Sequence, residues 1–269
     1  MRHWYMIAAF LFSPASAVNL ANGQNGFWSA ALLCGAFLQI PQRPIIAGIL
    51  FGIISYKPQF GILIPLLLIV GGQWRTFAAA TVTVFVMVAA SILLFGIDSW
   101  IYFLDRSAPL QVQLVQSETG PFLLMTPTIF MTARLIGLPL WIGWVGQAAI
   151  SVVALVAALW VYRKNTAYPM KVATILFAIY LCSPYALTYD LTIVNLAILL
   201  ALSSFRPRWW EMMAFVLVWI IPTFVFWTEL PAGPFFLLLA FVIVLRRVEQ
   251  GESGVARVED NAPLPQSTS

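Results

Sequence analysis

Apolar residues fall along this chain in blocks of helical length, separated by short polar or proline-bearing breaks. The blocks cover residues 4–18, 27–40, 45–56, 60–70 and 76–97, then 140–162, 168–182, 191–205, 209–226 and 235–245. A helix of about twenty residues crosses the hydrocarbon core of a bilayer, so the pattern predicts an all-α fold, a polytopic transmembrane helix bundle of about 8–10 membrane segments. Blocks 45–56 and 60–70 are one apolar run interrupted by Ile54-Ser55-Tyr56-Lys57-Pro58-Gln59-Phe60-Gly61. Pro58 removes a backbone donor and pushes Lys57 out of helical dihedrals. Two half-length helices, each roughly 18 Å long, are therefore expected to meet there as a shallow hairpin or tilted pair.

Residues 98–139 are too polar and too rich in proline to cross. Ile101, Leu104, Leu110, Leu114 and Val115 make one apolar face, with Asp105, Arg106, Gln111 and Gln113 off it and Pro109 marking a bend. That is the pattern of helical pieces lying in a membrane interface, and residues 131–138, with Arg134, read as another such piece. No long repeat is evident.

Composition sharpens the class. The 269 residues are 61% hydrophobic and 9% charged, with a mean hydropathy of +0.91. No soluble domain of this size hides so much apolar surface. Cys34 and Cys182 both lie in apolar blocks, which excludes a disulfide framework, and no Cys/His cluster has metal-ligand spacing. The only histidine is His3, so a histidine general base is missing from the bundle. Residues 1–17 carry a signal-peptide-like Ala15-Ser16-Ala17, but Ser13-Pro14 breaks the run and the pattern continues as one more span. The net charge of +4 sits at segment ends, where it serves topology; nothing in it predicts a nucleic-acid partner.

The basic residues orient the chain. Arg246 and Arg247 adjoin a Gln/Glu/Ser/Pro-rich tail, read as a disordered cytoplasmic tail over 248–269 after a membrane domain over 1–247. Each crossing then puts Arg206, Arg208, Arg163, Lys164 and Arg75 inside. A turn at Lys57 brings Arg43 and Arg2 inside as well, whereas a single crossing sends both outside, so the charge rule selects the turn. Five of the six acidic residues ahead of the tail (Asp98, Asp105, Glu118, Asp190 and Glu229) then fall on the extracytoplasmic side, as do residues 22–26 and 98–139. A polar site would open outward.

An ammonium in the middle of an apolar run needs a partner or water, and broken membrane helices are tolerated where they line a polar cavity. Lys57 is thus a candidate phosphate or carboxylate ligand, the plain alternative being a lysine that snorkels to headgroups. Gln59 adds an amide at the same depth. Asn22, Gln24 and Asn25, among Gly23 and Gly26, suit sugar hydroxyls because amides both donate and accept; the alternative is an ordinary turn. Asp190 opens an apolar helix, either as a favourable first-turn acid or as a carboxylate that orients or deprotonates a hydroxyl, with Tyr185 and Tyr189 as stacking walls. Arg134 is the best second cation for a phosphate. The tryptophans read as interfacial anchors.

Ser13-Pro14 before Asn22-Gly23-Gln24, Arg43-Pro44 with Ala47-Gly48 and Gly52, Lys57-Pro58-Gln59, Pro65, Gln73-Trp74-Arg75, and Ser183-Pro184 with Tyr189-Asp190-Leu191 stand in an order that resembles glycosyltransferase family 87. The resemblance reaches to about Phe205. The family's enzymes are integral membrane proteins of the GT-C type, similar to the polyprenol-phosphate-mannose-dependent mannosyltransferases of actinobacteria. The resemblance implies transfer of a hexose, mannose first, from a polyprenyl-phosphate donor to a lipid or glycan acceptor at the outer face of the plasma membrane, without a cofactor. Lys57 would hold the donor phosphate, and Asn22 and Gln24 would line the cavity. Two departures are expected to matter. Asp190 falls near a position where the actinobacterial members carry histidines, and the extracytoplasmic loop bearing the family's essential Asp has no room ahead of Arg2, which implies either the C-terminal part of a longer enzyme, inactive alone, or a chain that has lost catalysis, the first being the favoured reading. A transporter or lipid-handling permease that binds an anion at a broken helix is the alternative reading, with a noncatalytic assembly subunit as a third.

Overall fold

The structure, a computed structural model, describes residues 3–117 and 119–260, with side chains over 4–117 and 119–251. Glu118, Arg2 and residues 261–269 of the tail lie outside the described residues. Proline punctuates the chain. Helices α1 (His3–Leu11) and α2 (Pro14–Ala21) bend by 49° at Ser13, whose hydroxyl caps the second helix by accepting from Ser16 N at 3.1 Å. Next come α3 (Gly26–Gln39) and α4 (Pro44–Ile53), the latter running into a 3₁₀ turn, Ile54–Tyr56. The apolar run does break at Lys57, whose φ of −122° and ψ of 77° lie outside the helical region that Pro58 disfavours for the residue before it. Beyond it lie α5 (Pro58–Gly61), α6 (Leu63–Val70) and α7 (Trp74–Phe95).

Residues 98–117 are helical throughout: α8 (Ile97–Tyr102), a π-turn over Phe103–Ser107, and α9 (Ala108–Ser117). The bend expected at Pro109 takes the form of this widened turn, because proline has no N–H with which to close an ordinary one. None of its residues is buried, and Ile101, Leu104 and Leu110 are exposed. Short α10 (Pro121–Leu124) and α11 (Ile129–Leu135) return the chain to α12 (Leu140–Arg163), α13 (Tyr168–Cys182), a 3₁₀ turn at Thr188–Asp190 and α14 (Leu191–Ser204). The apolar block 209–226 is split at Ile220 into α15 (Trp209–Trp219) and α16 (Ile221–Thr228), 66° apart, with Pro222 in the first turn of the second. The last helix, α17 (Gly233–Asp260), continues through the first part of the expected tail.

All described elements are helical, and α13 is the hub: from Val172 to Leu181 every residue is buried. It packs against α12, α14, α17 and α3. Among the described residues, α7 and α12 are long and apolar enough to cross a membrane alone, and the two bent pairs raise the number of candidate spans to four. The other apolar helices, of 10–17 residues, fall short of the roughly 30 Å of hydrocarbon at 1.5 Å per residue. The membrane segments counted from hydropathy thus include pieces that lie within the bundle or work in pairs.

Helix α4 meets α7 through glycines. A Cβ on Gly48 would lie 2.5 Å from Ala79 Cβ and from Thr76 O, and one on Gly52 would lie 2.3 Å from Thr83 Cβ. Gly48-x-x-x-Gly52 is the small-residue spacing that lets membrane helices approach backbone to backbone. Because contacts advance in the same direction on both helices, α4 and α7 run parallel, and the chain between them reverses at Lys57. Arg43 and Arg75 therefore stand at one end of the pair and Lys57 beyond the other. At another joint, Glu211 of α15 pairs with Arg247 of α17 (2.5 Å to Nη2 and 2.8 Å to Nε) and accepts from Arg208 N at 2.6 Å, while the Arg247 guanidinium stacks over Phe205 at 4.9 Å. Gly52→Leu should lower the unfolding free energy by about 1–3 kcal/mol through overpacking, measured by denaturant titration in micelles. Gly35→Ala, whose Cβ meets Leu50 at an ordinary 3.7 Å, should be neutral or slightly stabilising.

Candidate functional site

Lys57 lies at the mouth of the proline break with its side chain turned into protein. The residue is 8% exposed and its Nζ donates to Asp190 Oδ1 at 2.6 Å; Asp190 is 1% exposed. The ammonium also sits 5.1 Å from the Tyr189 ring centroid and 5.6 Å from that of Phe60, within cation–π range. A lysine ammonium has three N–H donors, and among the described residues only the one to Asp190 finds an oxygen. Two remain for a ligand.

The carboxylate is fixed more completely. Asp190 ends the 3₁₀ turn Thr188–Asp190, where its N–H donates to Leu187 O at 2.9 Å and its Oδ2 accepts from Leu187 N at 3.4 Å. The loop that carries it is pinned from three sides. Tyr180 Oη donates to Leu187 O at 3.3 Å, Thr188 N donates to Met125 O at 2.8 Å and Thr128 Oγ1 donates to Pro184 O at 3.0 Å. The start of α3 presses on the same turn: a Cβ on Gly26 would lie 2.5 Å from Tyr189 O, so only glycine fits there. This contact brings the polar loop after α2 beside the ion pair.

Of the other sequence-predicted residues, Tyr189 is the one in contact with the pair among the described residues. Asn22 is exposed and lines a cleft of about 420 Å³ with Met125, Thr188 and Trp227. Gln24 is exposed, and the half-buried Gln59 side chain makes no hydrogen bond among the described residues. Tyr189 is part of the centre, whereas Tyr185 packs on Phe122 with ring centroids 5.9 Å apart. Arg134 belongs to a separate cluster: its Nη1 donates to Val115 O at 2.8 Å and approaches Met131 Sδ at 3.7 Å. Lys57 and Asp190 contact each other and not this guanidinium.

Tyr56, Ser29 and Asn19 were not singled out from the sequence. Tyr56 and Ser29 share a hydroxyl hydrogen bond of 2.9 Å next to Lys57. Asn19 accepts from Gly26 N at 3.3 Å through Oδ1, while its buried Nδ2 and the Oδ1 of Asn25 have no partner. Buried amide atoms without partners are costly, and these two flank Gly26, where α3 presses on the Tyr189 carbonyl. The signal in the sequence was an amide three residues ahead of Asn22, at the end of an apolar block.

Removing one partner of a buried ion pair leaves the other charge stranded, which costs about 3–5 kcal/mol, whereas replacing both with apolar residues of similar size is often neutral. Lys57→Met should therefore be strongly destabilised in thermal unfolding in detergent micelles, and Lys57→Met/Asp190→Leu should recover most of the loss. Equal melting of the single and double variants would contradict the pairing.

The family model for glycosyltransferase family 87 matches residues 1–184, a region that holds Lys57, the polar loop after α2 and all of α13 but stops short of Asp190. No curated protein and no solved structure matches the chain. With a proline-broken helix that buries an ammonium beside a polar loop, and with the family's model matching most of its length, the chain belongs to glycosyltransferase family 87.

Proposed function

We propose that this membrane glycosyltransferase moves a hexose, mannose by the family resemblance, from a polyprenyl-phosphate donor to a hydroxyl of a glycolipid or glycan, at the extracytoplasmic face of the plasma membrane. Lys57 receives the donor phosphate. The observation that carries this reading is the buried Lys57–Asp190 pair at the break, 2.6 Å apart, with two ammonium N–H bonds unspent. Membership of a transferase family also decides against a permease.

The step follows from charge. Bonding of the acceptor oxygen to the anomeric carbon breaks that carbon's bond to the phosphate oxygen, and the electron pair stays on the departing polyprenyl phosphate. Charge thus grows on the phosphate, where a fixed ammonium stabilises the transition state more than the ground state. As the phosphate draws the ammonium, Asp190 is freed from its partner and takes the hydroxyl proton as general base. Tyr189 supplies an aromatic wall for the sugar, and the amides of Asn22, Gln24 and Gln59 match its hydroxyls.

The test uses membranes carrying the full chain and a radiolabelled polyprenyl-phosphate mannose. The Lys57→Met/Asp190→Leu variant, chosen because it is expected to keep its fold, should transfer label at least about 100-fold more slowly, the scale of losing one preorganised electrostatic group. Asn22→Ala should raise KM several-fold and leave kcat nearly intact. Ordinary turnover by the folded double variant would overturn the phosphate role.

A further inference from the structure

The parallel start of α4 and α7 leaves a second charged feature, remote from the Lys57 centre. A groove of about 910 Å³ runs between these helices, with Arg43 and Arg75 at one end and Ile45, Ile49, Val82 and Val86 along its walls. No acidic residue lines it, and neither guanidinium has a protein partner among the described residues. From Arg75 to Val86 the helix rises roughly 16 Å at 1.5 Å per residue, close to the ~15 Å half-thickness of a bilayer's hydrocarbon. The central window of α7 buries none of its residues, so the groove opens at the edge of the bundle. Two forked, permanently charged donors above an apolar channel one leaflet deep have the shape of a lipid with an anionic head.

We propose that this groove binds one anionic diacyl phospholipid, its phosphate between Arg43 and Arg75 and one acyl chain along Ile49, Val82 and Val86. A second copy of the chain is a poorer occupant: a two-fold contact across this face would bring like-charged arginines together from both copies. The donor lipid is also the wrong occupant, because the groove's charged end lies at the opposite end of α4 from Lys57. The proposal does not depend on the transfer reaction.

Native mass spectrometry of the full chain in neutral detergent, titrated with phosphatidylglycerol, phosphatidylcholine or undecaprenyl phosphate, tests it. Phosphatidylglycerol should bind in preference to phosphatidylcholine, and Arg43→Gln/Arg75→Gln should weaken it roughly 30-fold, the effect of two cations near an anionic head. Arg43→Lys/Arg75→Lys should keep most of the preference, and Val82→Trp, which fills the channel, should reduce retention of both phospholipids. An undiminished preference in the glutamine variant, melting as wild type without lipid, would overturn the proposal. So would displacement of phosphatidylglycerol by equimolar undecaprenyl phosphate, which would assign the groove to the donor.

Discussion

A lysine ammonium and an aspartate carboxylate, 133 positions apart in sequence, meet at 2.6 Å in protein that excludes water from both. Taking two such charges out of water costs several kcal/mol per ion and is recovered only when the geometry is good and the remaining donors and acceptors are used. Here the recovery is lopsided. Asp190 is satisfied by Lys57 and by the Leu187 N–H, whereas Lys57 holds one oxygen and two aromatic faces. A pair so arranged is stable when empty and still has donors to offer an anion.

Much of the architecture can be traced to keeping those two residues together. Pro58 ends the 3₁₀ turn and aims Lys57 inward, α13 supplies a fully buried wall, and the Ser183 to Asp190 loop is tied down by Tyr180, Thr128 and the Met125 carbonyl. The glycine-mediated contact of α4 with α7 fixes the other arm of the break. Short helices that could not cross a bilayer alone acquire a purpose here, because a half-length helix can end at mid-depth and present its last residue to a cavity. Such non-helical backbone is tolerated in a membrane only when surrounded by protein or water, and α3 and α13 pack against the two sides of this break.

The break itself was legible because its cause is local: a proline next to a lysine inside an apolar run. The partner was not. Asp190 stood out as an acid at the start of an apolar helix, but nothing in residues 183–191 points across the chain to Lys57, since pairing is decided by how α13 and α14 dock. Arg134 was ranked by charge alone, and the fold uses it to hold a backbone carbonyl of α9. Hydropathy located every apolar block but did not register the 66° bend at Ile220, whose signal is a single proline, Pro222, inside an otherwise continuous apolar run. The family assignment rested on the order of small motifs, and the match over residues 1–184 bears it out.

In the proposed transfer reaction, Lys57 leaves Asp190 for the donor phosphate. A structure of the full chain bound to polyprenyl phosphate in nanodiscs measures this directly. The expected result is a phosphate oxygen at about 2.7–3.0 Å from Lys57 Nζ, with the contact to Asp190 lengthened or broken. A phosphate bound elsewhere, above an ion pair still closed, would contradict it.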